Sequence, residues 1–248
     1  MADCIILHVD CNCFYAAVEM LYHPEFAGKP LAVGGDAEKR YGIVLTANYI
    51  AKRRGVKTGM ALWQARQCCP DLIFVPPRMY LYLRFSRMAR AIYRDYSDKV
   101  ESFGLDECWI DLTDCCAILG DRTKTIENGY RIAEEISGRV RRELGITVSI
   151  GVSWNKIYAK LGSDYKKPDA ITVFDRQNYR TLIFPLPVSE LLYVGRKTAK
   201  KLADCGIHTI GELAAADPSY LQRIFGKVGL MLSVFARGED QTPVNDLG

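Results

Sequence analysis

The sequence is short of net charge. Its 33 lysines and arginines nearly balance 29 aspartates and glutamates, leaving +4 over 248 residues. A protein that coats nucleic acid through sheer charge is thereby excluded, while a nucleic-acid partner held at a local basic patch is allowed. Long apolar runs are missing too: no stretch approaches the ~18 residues a membrane-spanning helix needs. Residues Met1 to Asp10 carry no basic segment, and Asp10 cuts off their short apolar stretch, so no secretory leader is expected. The 9 cysteines form no Cys-x-x-Cys pair, and none of the 3 histidines stands at zinc-finger spacing from them. Reduced thiols in a cytoplasmic protein are the expectation. Repeats and low-complexity tracts are also absent. What is present is 49% hydrophobic and 25% charged residues, enough to bury a core and unlike a disordered tail. At roughly 150 residues per domain, the length suggests one or two domains.

The apolar pattern organises the chain. Ile5 to Val9 reads as a buried strand that ends abruptly in Asp10, and Phe14, Ala17, Val18 and Leu21 form a helical face. Short strands are expected at Lys29–Val33 and Ile43–Leu45, around the Gly34-Gly35 turn. Tyr49–Arg54 reads as a helix stopped by Gly55, and Thr58–Gln64 begins another that must end before Pro70. Pro76-Pro77 marks a boundary. Leu81, Phe85, Met88, Ala89 and Ile92 predict a long helix between Tyr80 and Tyr96; Ile126 to Leu144 predicts a second. Val100–Leu112 reads as two strands with a tight turn near Gly104-Leu105, and Ile146–Ser153 and Ala170–Phe174 as further strands. This order predicts an α+β fold, a sheet with helices on one face. After Asp175 only short helical pieces follow, one opened by the capping box Thr209-Ile-Gly-Glu212.

Three acids stand where folding alone does not call for them. Asp10 ends an apolar strand, and Asp106 and Glu107 lie at or just past the turn of the Val100–Leu112 hairpin, with Asp111 further along. If the first strand lies beside that hairpin, Asp10, Asp106 and Glu107 converge. Clustered carboxylates raise one another's pKa unless a cation neutralises them. Their hard oxygens suit Mg²⁺, and two such ions can clamp a phosphoryl displacement. Spacing alone leaves a plainer reading open, a strand-terminal cap and an exposed acidic turn. Strict alternation also places Glu107 and Asp111 on one face and Asp106 on the other, so a shared cation requires Asp106 to belong to the turn.

The wording then becomes specific. Val9-Asp-Cys-Asn-Cys-Phe-Tyr-Ala-Ala-Val-Glu19 resembles the opening motif of Y-family (translesion) DNA polymerases, and Gly104-Leu-Asp-Glu-Cys-Trp-Ile-Asp111 resembles their second carboxylate motif. Thr46–Val56 is similar to their fingers segment. Gly151–Lys160 with Asp164–Pro168 resembles the later palm segment, and Val194–Leu202 the thumb hairpin. The motifs run in order over nearly the whole chain, and the likeness is to the bacterial DNA polymerase IV type. The resemblance implies an α+β palm (1–11 and 78–174) with a mixed sheet and two long helices on one face. It further implies a small α/β fingers insertion (12–77), an all-helical helix-hairpin-helix thumb (175–241), and at 242–248 the start of a linker to a little-finger domain absent from this chain.

It also implies site residues. Asp10, Asp106, Glu107 and the Cys11 carbonyl would hold two Mg²⁺ beside the primer 3′-hydroxyl. Tyr15 falls at the steric gate against a ribose 2′-hydroxyl. Backbone amides around Asn12, Cys13 and Phe14, at a helix start, suit a triphosphate. Tyr49, Lys52 and Lys167, with Thr46 nearby, match the groups on the β and γ phosphates. Lys52 stands where the family commonly has arginine, which keeps the charge but loses the bidentate fork. Gly104 and Ile50 replace a commoner serine and a commoner acid. Gly195, Arg196, Lys197 and Lys200 would grip DNA at the thumb hairpin, whose Pro-Gly-x-Gly form is incomplete. The implied partners are primer–template DNA and deoxynucleoside triphosphates, with a sliding clamp reached through the absent C-terminal region, in a monomer free of membrane. Two other readings compete: a non-catalytic DNA-binding scaffold, and a palm-fold nucleotidyl cyclase suggested by Gly34-Gly35-Asp36-Ala37-Glu38.

Overall fold

The computed structural model describes residues 4–35, 42–118 and 125–245. The first elements are β1 (Ile6–Cys11), α1 (Phe14–Tyr22), β2 (Leu31–Gly34), β3 (Val44–Ala47), α2 (Tyr49–Arg53), α3 (Leu62–Cys68), β4 (Ile73–Val75) and α4 (Met79–Arg94). Next come β5 (Val100–Phe103), β6 (Glu107–Asp111), α5 (Thr113–Ile118), α6 (Thr125–Arg139), β7 (Val148–Ser153), α7 (Lys156–Tyr165) and β8 (Ile171–Val173). The chain closes with α8 (Tyr179–Leu182), α9 (Arg196–Asp204), α10 (Ile210–Ala215), α11 (Pro218–Phe225) and α12 (Lys227–Ala236).

β1 is the centre of a five-stranded sheet ordered β5-β6-β1-β7-β8. It pairs antiparallel with both β6 and β7, while β7 and β8 are parallel. Alternation sorts its side chains. Leu7 and Val9 enter the main core with Tyr82 and Phe85 of α4 and Ile132 and Ile136 of α6. Ile6 faces the other way, with Trp109 and Ala159. The two long helices therefore share one face of the sheet, as expected. The opposite face is not bare: α7 lies on it against β1 and β7. That approach depends on Gly151, where a Cβ would stand 1.9 Å from the Ala159 carbonyl oxygen.

α7 is also the hinge-pin to the C-terminal helices. Its Ile157, Tyr158 and Leu161 join Leu202, Ile210, Leu221 and Leu232 in a second core. Fully burying one such side chain contributes about 1.5–3 kcal/mol. Polar ties fix the docking: the Tyr158 hydroxyl donates to the Ala236 carbonyl at 2.7 Å, and Trp154 Nε1 to that of Gly238 at 2.8 Å.

A three-stranded sheet, β3-β2-β4, carries the insertion. Leu31 and Val33 of β2 face the main core, while Ala32 joins Val44, Ala47, Ala51, Leu62 and Ala65 in a small core of their own. β4 is not legible from the sequence. Three residues are too few to show alternation, and its partner is a parallel strand some forty positions earlier. The second long helix ends in a π-helical turn, Val140–Leu144, before Gly145 at φ 72°. The Thr209 capping box is present: Glu212 N donates to Thr209 Oγ1 at 3.2 Å and Thr209 N to Glu212 Oε2 at 2.9 Å. Of the cyclase-like fragment, Asp36 to Glu38 lie outside the described residues.

Candidate active site

Strand register brings the carboxylates together. Asp10 sits directly opposite Glu107 on β6, on one face of the sheet. Asp106 belongs to the turn preceding β6, as a shared cation requires. Gly104 at φ 84° lets that turn form, and the Cys11 N–H donates to the Asp106 carbonyl at 2.9 Å, pinning it to the end of β1. Asp111 lies at the far end of β6, where it accepts from the Thr113 N–H at 2.9 Å. It has no part in the cluster.

The three acids line a cleft of about 310 Å³ together with Cys11. Cys13, Phe14 and Tyr15 at the start of α1 line it too, as do Thr46, Tyr49, Lys52 and Lys167. Leu45 and Thr58 also line it. Cys13, the N-cap of α1, takes the left-handed conformation (φ 41°) and makes no side-chain cap hydrogen bond; the first-turn amides, which have no acceptor within any helix, are therefore left uncapped. Tyr15 is held flat. Its ring stacks on Tyr82 at 4.2 Å and 13°, and the Tyr82 hydroxyl donates to Glu19 at 2.6 Å. Glu19 in turn pairs with Arg78. Asn48 caps α2 through Ala51 N (3.0 Å) and so sets the direction of Tyr49; Lys52 Nζ lies 4.8 Å from the Tyr49 ring centroid.

Asn12 departs from expectation. Its backbone N–H donates to the Thr147 carbonyl at 2.9 Å. That amide is therefore not a free donor for a phosphate, and the buried side chain does not line the cleft. The amides left for an anion belong to Cys13, Phe14 and the residues after them.

Sequence reasoning missed two residues behind the acids, Lys160 and His8, and the contacts that Lys167 makes with Asp10 and Asp164. Lys160 on α7 reaches Glu107 at 2.9 Å, Asp164 at 3.1 Å and Asp10 at 3.5 Å. Lys167 reaches Asp10 at 2.5 Å and Asp164 at 2.7 Å. His8, fully buried, lies 3.2 Å from Glu107 and 2.8 Å from the Ser163 hydroxyl. The available signals were the Lys160/Asp164 pair at helical spacing and His8 two residues before Asp10 on the same strand face.

Burial dominates the titration of this cluster. It raises Asp10 to about 6, helped by the charge of Glu107 and opposed by Lys167 and Lys160. Asp106 is raised by burial and by Glu107. Burial works the same way on Glu107, but His8 and Lys160 outweigh it and hold that carboxyl at about 2. Burial lowers His8 to about 4, leaving it neutral. Burial also works against the Lys167 cation, yet Asp10 and Asp164 carry it to about 12. Among the described residues no three metal-binding side chains already surround a single point; lysine ammonium groups face the acids instead.

A second basic feature stands apart from the cleft. Gly195 is the N-cap of α9, and Arg196, Lys197 and Lys200 are exposed around that terminus. Tyr193 occupies the left-handed position of the hairpin (φ 69°), where glycine is the unstrained choice. Lys201 is spent on the structure, donating to the Ile224 carbonyl at 2.7 Å.

Residues 9–164 match the impB/mucB/samB family, and residues 190–240 match the thumb domain of DNA polymerase-iota. The fold superimposes on the structure described as "Y-family DNA polymerase chimera Dbh-Dpo4(243-245)-Dbh" with a TM-score of 0.89 and 32% identity, covering 98% of this chain and 70% of that one. The chain belongs to the Y family of DNA polymerases. Within the family it is 52% identical over 240 residues to DNA polymerase IV of Acetivibrio thermocellus and 45% identical over 241 residues to DNA polymerase IV 1 of Bacillus subtilis. Each alignment covers 97% of this chain, which spans 58% and 56% of those two relatives. DinB from Sulfolobus solfataricus has the same Y-family architecture, with a TM-score of 0.86 and 32% identity over 97% of this chain and 69% of that one.

Proposed function

We propose that the chain is the catalytic part of a template-directed DNA polymerase of the low-fidelity, translesion kind, serving DNA repair and damage-tolerant replication. One observation carries the reading: strand-end carboxylates, residues of a helix N-terminus, Tyr49 and two lysines line a single cleft together with Tyr15. Residues 1–11 and 78–174 are the palm, 12–77 the fingers and 175–241 the thumb, with a linker starting at 242. The substrates are primer–template DNA and a deoxynucleoside triphosphate. The primer 3′-hydroxyl gives up its proton to water and attacks the α-phosphorus in line, the bond to the β-phosphate oxygen breaks, and pyrophosphate leaves. Among the described residues no helix is long and apolar enough to cross a membrane, and we place the protein in the cytoplasm as a monomer.

The donors fit Mg²⁺. Asp10, Asp106, Glu107 and the Cys11 carbonyl offer hard oxygens, and the burial that raises Asp10 and Asp106 is a cost a cation relieves. Two bound Mg²⁺ would neutralise charge on the transferring phosphate and lower the pKa of the attacking hydroxyl. The chain's own groups do the rest. Tyr49, Lys52 and the first-turn amides of α1 hold the triphosphate, with Thr46 beside them. Lys167 leaves Asp10 for the β and γ phosphates, one anion exchanged for another. Lys160 stays behind Glu107 and keeps it ionised. At the thumb, Gly195, Arg196, Lys197 and Lys200 grip the DNA backbone without reading sequence. The decisive assay is primer extension by the protein at the full length of its relatives, with Mg²⁺ and all four deoxynucleotides. Template-directed product is expected; its absence overturns the reading.

Two further outcomes follow. Divalent-cation binding is expected to weaken as the pH falls through about 6, since a proton must leave Asp10 before its oxygens ligate. A raised acid is protonated below its pKa and ionised above, so affinity climbs through that window and then levels. Calorimetric titration with Mn²⁺ at about pH 5 and about pH 7.5 reads this directly; equal affinities remove Asp10 from the ligand set. Tyr15→Ala is expected to improve ribonucleotide incorporation, relative to deoxynucleotide, by at least about tenfold, the loss of one 1.36 kcal/mol step of steric exclusion. Unchanged sugar selectivity excludes Tyr15 as the gate.

A further inference from the structure

Asn12, displaced from its expected role, occupies a buried polar junction. It is 2% exposed, and its neighbour Ser149 is 1% exposed. Four separate pieces of chain meet there. Val148 and Asp169 present backbone N–H groups, which can only donate, so the Asn12 carboxamide oxygen faces them at 3.3 and 3.0 Å and also takes the Thr147 hydroxyl at 3.0 Å. Its nitrogen then faces the Ser149 hydroxyl at 2.8 Å and the Tyr49 hydroxyl at 3.2 Å. Ser149 reinforces the junction by accepting from Asp169 N at 3.0 Å. Outside it, the Asp169 carboxylate pairs with Arg141.

The connected pieces are the ones that carry the phosphate-binding groups. Asn12 is followed by the open amides of α1. Tyr49 leads α2, and Asp169 lies two residues after Lys167. We propose that Asn12 and Ser149 are positioning residues that tie the Tyr49 hydroxyl and the Lys167 loop to the ends of β1 and β7, presetting a cradle for a triphosphate. The inference rests on reading this cleft as the nucleotide site. Neither residue touches the phosphates; both act through the groups they hold. Presetting matters because a displacement of about 1 Å in a binding group can cost on the order of 10²-fold. Asparagine suits the junction because it supplies both an acceptor for two fixed backbone donors and a donor for two hydroxyls.

The probe is inorganic tripolyphosphate, bound by the isolated protein and followed by calorimetry. Asn12→Leu keeps the branched shape and removes every side-chain hydrogen bond, and Ser149→Ala removes the second arm. Each is expected to weaken tripolyphosphate binding by at least about tenfold in protein that still unfolds in one cooperative transition, with a lower thermal midpoint for Asn12→Leu because two buried backbone donors lose their acceptor. In a double-mutant cycle with Lys167→Ala, the loss from Ser149→Ala shrinks, because the loop it held no longer carries the ammonium. Unaltered affinity in a folded Asn12→Leu protein overturns the proposal, and so does full additivity with Lys167→Ala. If Asn12→Leu does not fold, Ser149→Ala decides. A parent that binds tripolyphosphate through this junction but extends no primer keeps the inference and loses the polymerase reading; a parent that binds none loses the inference.

Discussion

Asp106→Ala is expected to lower primer extension by at least about 10³-fold, because removing a cation ligand forfeits several kcal/mol of transition-state stabilisation at 1.36 kcal/mol per tenfold. The same substitution is expected to leave stability unchanged or slightly higher. The contact that pins the turn runs from the Cys11 N–H to the Asp106 main-chain carbonyl and survives truncation of the side chain. Burial and the charge of Glu107 both oppose ionisation of the Asp106 carboxyl and raise its pKa. An acid raised in the fold is ionised at a cost above its unfolded pKa, so at neutral pH its removal relieves repulsion. Activity and stability are thus set against each other at this position. The matched control is Asp111→Ala on the same strand, where the carboxylate caps Thr113. There extension is expected to persist and some stability to be lost. Steady-state extension and thermal melting on both variants read the pattern; an Asp106→Ala protein that loses melting temperature along with activity marks a structural residue instead.

The acids were legible because their signal is one-dimensional. An apolar run ending in Asp10, and a hairpin whose turn carries Asp106, point to strand ends whatever surrounds them. The helical period of α4 was equally plain, since Leu81, Phe85, Ala89 and Ile92 all face one core. What the sequence does not display is the second layer. Lys160 reads as an ordinary helix lysine until α7 lies on the sheet and turns it toward Glu107, Asp164 and Asp10. His8 reads as part of a strand until Ser163 closes on it from behind. Asn12 carries the same motif either way; only the Thr147 carbonyl, more than a hundred positions distant, decides that its amide is already bonded. Periodicity reports which face a residue takes, and contacts between faces are a property of packing.

That packing concentrates at Gly151, and Gly151→Ala is expected to destabilise the fold by at least about 3 kcal/mol, the upper end of core overpacking. The added Cβ would stand 1.9 Å from the Ala159 carbonyl oxygen, 2.5 Å from Ser163 N and 2.9 Å from the Gly162 carbonyl carbon. All three are main-chain atoms, so no side chain can rotate away and α7 must move as a body. Moving it carries Ser163 from His8 and Lys160 from Glu107, and loosens the Tyr158 hydroxyl from Ala236 on the far side. One methyl group would therefore disturb the acid cluster and the docking of the C-terminal helices together. Against a typical total of about 5–15 kcal/mol, a loss of this size is visible in any denaturant titration. Gly195→Ala is the contrast: nothing lies within 4 Å of its Cβ and its φ is −76°, so the cost is expected below about 1 kcal/mol, that of a poorer helix cap. Equal midpoints for the two variants show that α7 does not sit on β7 as closely as described, and with that the support of Glu107 by Lys160 falls as well.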